Sequence, residues 1–175
     1  IMIDSVSKRY SLCGARVGCI VSKNKLLIQN LLKFAQLRLS PPTYALIASE
    51  AALDAPNSYL KKVIREYSRR RDALIEALEE IPDVKVSYPM GAFYCMVKLP
   101  VDDAENFSKF LLTSFEDEGQ TVMLAPATGF YSTPGYGKKE VRVAFVLNEK
   151  KLLRAAKIIR KGIKEYNKIY TSAVV

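Results

Sequence analysis

Ser5-Val6-Ser7-Lys8, followed by Gly14-Ala15-Arg16-Val17-Gly18, carries more chemistry than any other stretch of the 175-residue chain. Apolar runs flank it. Ile1 to Asp4 reads as the end of a short buried strand, and Ala15 to Ser22 as a second strand of small and β-branched residues. The polar residues Ser5 to Ser11 lie between them, so Lys8 is expected in a loop between strands. An amine, two hydroxyls and an arginine between glycines suit a ligand that has both an aldehyde and a phosphate. The amine can form a Schiff base with the aldehyde. Arginine can give paired N–H bonds to phosphate, the serines single ones, and the glycines allow close backbone approach.

A second constellation lies far downstream. Glu140-Val141-Arg142-Val143-Ala144-Phe145 sets an arginine inside an apolar strand. Burying that charge without a partner would cost several kcal/mol, so a structural role for Arg142 requires a carboxylate from the same domain.

Between the two, helical spacing dominates. Leu27, Leu31, Phe34 and Arg38 predict a helix from Asn24 to about Leu39, stopped by Ser40-Pro41-Pro42, with an alanine-rich helix from Thr43 to Ala55 after it. Beyond Pro56, where Asn57 or Ser58 can cap, Leu60, Ile64, Tyr67, Leu74 and Leu78 line one face of a helix reaching about Glu80. Then come strands at Val84 to Ser87 and Ala92 to Leu99, a helix Ala104 to Asp117, and a strand Thr121 to Leu124. A Gly/Pro-rich loop, a strand Glu140 to Val146 and a terminal helix complete the order. Short connections favour antiparallel pairing, and a hinge is expected at Pro56.

The composition, 49% hydrophobic and 26% charged, is that of a globular protein with a core. No apolar run approaches the roughly 18 residues that span a bilayer, and the start lacks signal-peptide character, so a cytoplasmic location is expected. Cys13, Cys19 and Cys95 have spacings unlike zinc or redox motifs and are expected reduced and mostly buried. With no histidine, a His-based triad and the commonest transition-metal ligand are both excluded, and no metal site is expected. The formal charge is +9, of which the segment from Lys150 onward carries +7. Leu152, Ala156, Ile159, Ile163, Tyr166 and Tyr170 make the same segment amphipathic, so its lysines read as a solvated face over a packed stripe and not as a nucleic-acid site.

The run S-x-S-K-x5-G-x-R-x-G is similar to the lysine signature of the class I and II aminotransferases, fold type I of the pyridoxal-phosphate enzymes. The resemblance implies that Lys8 binds the aldehyde of pyridoxal 5'-phosphate and serves as the catalytic base, with Ser5 and Arg16 on the cofactor phosphate. It offers Arg142 another partner, the substrate α-carboxylate, because Val141-Arg142-Val143-Ala144-Phe145 resembles the family's late arginine strand. Pro89-x-Gly91-Ala92-Phe93-Tyr94 resembles the turn and strand that open the small domain, with Phe93 and Tyr94 expected in the core. Pro126-Ala127-Thr128-Gly129-Phe130 stands where the family has P-G-x-x-F, with the glycine displaced. Ser40-Pro41-Pro42 resembles a segment that in some members reaches the partner subunit's phosphate.

The implied fold is α/β, the C-terminal part of the PLP-dependent transferase fold. Residues 1–56 would be the trailing part of the large cofactor domain and 57–175 the small C-terminal α/β domain. The implied function is amino-group transfer between an amino acid and a 2-oxo acid, of aspartate or aromatic type, by a cytoplasmic homodimer with no nucleic-acid or membrane partner. The family's other cofactor contacts would precede Ile1, so this chain alone is expected to be inactive. A lyase or synthase of the same fold and a non-catalytic binding domain remain alternative readings.

Overall fold

The computed structural model describes residues 1–171. The chain divides into two compact units, Ile1–Val63 and Ile64–Val175.

In the first unit β1 (Met2–Ser5) and β2 (Gly18–Val21) form an antiparallel pair, in register from Met2 opposite Val21 to Ser5 opposite Gly18. The segment joining them is not an open loop. Ser5 caps a single helical turn, α1 (Val6–Arg9), by accepting the Ser7 N–H at 3.1 Å, so Lys8 rides on a helical turn. A 3-10 turn, Cys13–Ala15, comes next, and Arg16 takes a left-handed φ of 56°. That conformation interrupts an extended chain, which is why the second strand starts at Gly18 and not at Ala15. The strand side chains, expected to be buried, are exposed or half-exposed, because no second layer within Ile1–Val63 covers them.

Helix α2 (Lys25–Arg38) begins where the Asn24 side chain accepts the Leu27 N–H at 3.0 Å, and ends as Leu39 turns to a φ of 64° ahead of the prolines. α3 (Thr43–Leu53) starts after Pro42, and α4 (Asn57–Glu79) directly after Pro56, continuing through the boundary between the units.

The second unit holds the core. β3 (Lys85–Val86), β4 (Tyr94–Lys98), β5 (Ala125–Pro126) and β6 (Glu140–Ala144) form one antiparallel sheet in the order β3-β4-β6-β5. Alternation along the strands sends Cys95, Val97, Val141 and Val143 inward. They meet Leu74 and Leu78 of α4, Phe107, Phe110 and Leu111 of α5 (Ala104–Thr113), and Leu152, Ala156, Ile159, Ile163 and Tyr166 of α6 (Glu149–Thr171). Each such Leu, Val or Phe contributes about 1.5–3 kcal/mol on full burial. Tyr170, the last residue of the expected stripe, is half-exposed. α5 ends at Thr113, short of Asp117, and Thr121 to Leu124 is not a strand; the pairing with β6 is made by Ala125 and Pro126. The other face of β4 and β6 carries Tyr94, Met96, Arg142 and Ala144, all at least partly open. No described helix is long and apolar enough to cross a membrane.

Candidate functional site

The end of the β1–β2 pair gathers Ser5, Lys8 and Arg16. Ser5 stands opposite Gly18 in the last rung, and the residues between them close on themselves: Val6 N–H reaches Val17 O at 3.3 Å, Leu12 N–H reaches Val6 O at 3.4 Å, and Ser5 Oγ donates to Val17 O at 3.1 Å. Both the helical turn bearing Lys8 and the turn bearing Arg16 therefore belong to one small loop at one end of the hairpin. Gly18 is required there, since a Cβ would come within 2.9 Å of the Asp4 carbonyl oxygen.

Charges in this loop are unevenly partnered. Arg9 binds Asp4 at 2.6 Å, and the Ser5 backbone N–H together with Arg9 holds the Asp4 carboxyl below its ordinary range. Arg16 donates through Nη1 to Cys13 O at 3.1 Å and forms no ion pair within the described residues. Lys8 and Arg16 are both exposed. A guanidinium with no acid beside it, an amine and two hydroxyls, of which the Ser5 O–H turns to Val17 O in this structure and would rotate to meet a phosphate, form a set whose chemistry fits a phosphate-bearing aldehyde. Ser5, Arg16 and Lys8 are the residues that could hold such a group.

Arg142 belongs to the second unit. It lies on β6 opposite Met96 of β4 and Ala125 of β5, half-buried, on the face turned away from the core. The carboxylate partner that a structural role requires is not among the described residues, and neither is any hydrogen bond from its guanidinium. Two rings take that place. The guanidinium carbon lies 4.9 Å from the centre of the Tyr94 ring and 4.8 Å from that of Phe130. Contacts of this kind contribute about 0.5–1 kcal/mol each at exposed sites.

Tyr94 corrects an expectation. Of the pair Phe93 and Tyr94, only Phe93 packs against the core; Tyr94 is 38% exposed on the open face. Strand alternation held the signal, because Tyr94 and Met96 share a face and Met96 is the cross-strand partner of Arg142. Phe130 reaches Arg142 from a 3-10 turn, Thr128–Phe130. Ala127, where the resembling motif has glycine, sits at φ −96°, which any residue adopts, so no glycine is required there. Upstream, Arg71 pairs with Asp72 at 2.8 Å, lies over the Tyr88 ring at 4.5 Å and donates to Pro89 O at 3.4 Å, bracing the turn that leads into β4.

Other expectations fare less evenly. Cys95 is buried, but Cys13 and Cys19 are exposed on the hairpin, where nothing in the first unit covers them. Ser40 is exposed, its hydroxyl turned to Pro41 O at 3.1 Å. On α6, Arg154 and Lys161 both bind Asp117, at 2.5 Å each, which neutralises part of the basic face.

Known proteins share both the sequence pattern and the fold. The profile described as aminotransferase class I and II matches residues 1–159. The chain is 27% identical over 167 residues to an aspartate aminotransferase of Pyrococcus horikoshii, an alignment taking 93% of this chain and 41% of the relative. It is 31% identical over 157 residues to the LL-diaminopimelate aminotransferase of Natranaerobius thermophilus, covering 89% of this chain and 38% of that one. Among solved structures, an alanine aminotransferase from Pyrococcus furiosus superposes with a TM-score of 0.76 at 29% identity, over 93% of this chain and 42% of the other. The chain thus spans between 38% and 41% of the length of these two curated relatives.

Proposed function

Because this chain belongs to the class I and II aminotransferases, we propose that it is the C-terminal portion of a pyridoxal-phosphate-dependent aminotransferase that moves an amino group between an amino acid and a 2-oxo acid. Residues 1–56 are the trailing part of the cofactor domain and 57–175 the small domain. The whole enzyme is a cytoplasmic homodimer. An aspartate or aromatic type is favoured by relatives named aspartate aminotransferase and probable aspartate/prephenate aminotransferase. The observation that carries the proposal is the closed loop at the hairpin end, which collects an amine, two hydroxyls and a guanidinium without an acid partner.

Ser5 and Arg16 hold the cofactor phosphate, the serine by a single hydrogen bond and the arginine by its fork. When bound, pyridoxal phosphate supplies an aldehyde for the substrate's amine and a ring that takes up the negative charge left at Cα. The Lys8 amine carries the proton from the substrate Cα to the carbon that bore the aldehyde. Arg142 binds the α-carboxylate in a bidentate fork and so fixes the direction of the Cα–H bond. Lys8→Ala in the full-length enzyme tests the reading: glutamate-dependent transamination is expected to be lost, together with the visible absorption of lysine-bound cofactor. Retained turnover would overturn it, and pyruvate and ammonia formed from an amino acid without any 2-oxo acid acceptor would point to a lyase.

A further inference from the structure

We propose that Tyr94 and Phe130 are positioning residues that hold Arg142 ready as a carboxylate receptor; the inference rests on the function proposed above and deepens it. Four arginines of the second unit are half-buried. Three of them hold a carboxylate: Arg70 binds Glu66 at 2.8 Å, Arg71 binds Asp72 at 2.8 Å and Arg154 binds Asp117 at 2.5 Å. Arg142 is the exception, with a ring at 4.9 Å and another at 4.8 Å where the others have acids. The difference is chemical. A carboxylate consumes the in-plane N–H donors of a guanidinium, whereas an aromatic face attracts its charge and leaves those donors available. The arrangement keeps a long, mobile side chain in place without spending the fork that a planar anion needs.

Separate elements deliver the two rings. Tyr94 comes from β4, on the same sheet face as Arg142 and two rungs away, since Tyr94 pairs with Ala144 and Met96 with Arg142. Phe130 comes from the 3-10 turn, which is tied to β6 through Ala127 N–H to Glu140 O at 2.9 Å and closed by Phe130 N–H to Ala127 O at 2.9 Å. The strand that carries the arginine thus also anchors the turn that carries one of its rings. The ligand class this selects is a planar carboxylate.

The test uses the full-length holoenzyme with glutamate as amino donor and compares Tyr94→Leu, Phe130→Leu, Tyr94→Phe and Arg142→Lys. Both rings are partly exposed, at 38% and 52%, so their loss does not hollow the core. Tyr94→Leu and Phe130→Leu are each expected to raise the KM for glutamate about twofold to fivefold. Their kcat and the visible spectrum of the bound cofactor should stay near wild type, and Tyr94→Phe, which keeps the ring, should restore the wild-type KM. An unchanged KM in both leucine variants, while Arg142→Lys raises it, would overturn the positioning role alone. A fall in kcat and cofactor absorption alongside the rise in KM would overturn it too, because that marks a general disturbance. An unchanged KM in Arg142→Lys would instead overturn the role assigned to Arg142 itself.

Discussion

Arg142 sits between two buried valines, yet its own side chain leaves by the open face of the sheet, so no desolvated charge has to be balanced inside the protein. Its donors are unclaimed within the described residues, and lysine in its place would keep the charge and lose the planar fork. Arg142→Lys in the full-length enzyme is accordingly expected to raise the KM for amino acid by about tenfold or more, with the absorption of the bound cofactor unchanged. Steady-state kinetics and a visible spectrum check both halves. The three cysteines differ in reactivity. Burial pushes the Cys95 thiol up to about 11, while Cys13 and Cys19 are exposed. Since the thiolate is the nucleophile, a chromogenic disulfide reagent at pH near 8 should titrate two thiols of this chain quickly and the third only after denaturant is added. Three fast thiols would contradict the buried position of Cys95.

At the scale of elements, one carboxylate fastens the turn after α5 to α6. Asp117 accepts from Lys161 and from Arg154, whose Nη2 also reaches Asp117 O at 2.6 Å. The Lys161 hydrogen bond, then that of Arg154, holds the Asp117 carboxyl below its ordinary value of 3.8. A carboxyl depressed in the folded state adds stability that is complete above its unfolded value and disappears as pH falls through the folded one. Asp117→Asn should therefore lower the urea midpoint at neutral pH. Its gap from wild type should narrow as pH drops toward 3.8 and close below the depressed folded value. A gap independent of pH would mean that the ion pairs contribute nothing and that only the turn geometry matters. The same region explains a misplaced strand. Val122 and Leu124 alternate as strand residues do, but alternation reports a face and not a partner; β6 is paired at Ala125 and Pro126, and the preceding residues run outside the ladder.

Across the whole molecule, burial is lopsided. Every residue of the hydrophobic core lies at or after Leu74, whereas Ile3, Phe34, Leu37 and Tyr44 of the first unit are exposed. Local stability follows buried contacts, so hydrogen exchange on the 175-residue chain should find its slowest amides in β4, β6, α5 and α6, with those of β1, β2, α2 and α3 exchanging much sooner. Equal protection in both units would contradict this distribution. Much of the fold was legible in the order of residues. The stripe from Leu152 to Tyr166, the helix starts after Asn24 and Pro56, and the antiparallel small sheet all follow from periodicity, capping and short connections, which are local properties of the chain. The lysine motif likewise lies in one continuous stretch and resembles the signature of the family whose profile matches residues 1–159, so the family was legible there. Only tertiary structure placed Lys8 on a helical turn inside a closed hairpin end, left Cys13 and Cys19 exposed, and set Tyr94 and Phe130 against Arg142. Those outcomes depend on which strand pairs with which, and in what register, and pairing between distant segments is written in no single stretch of the sequence.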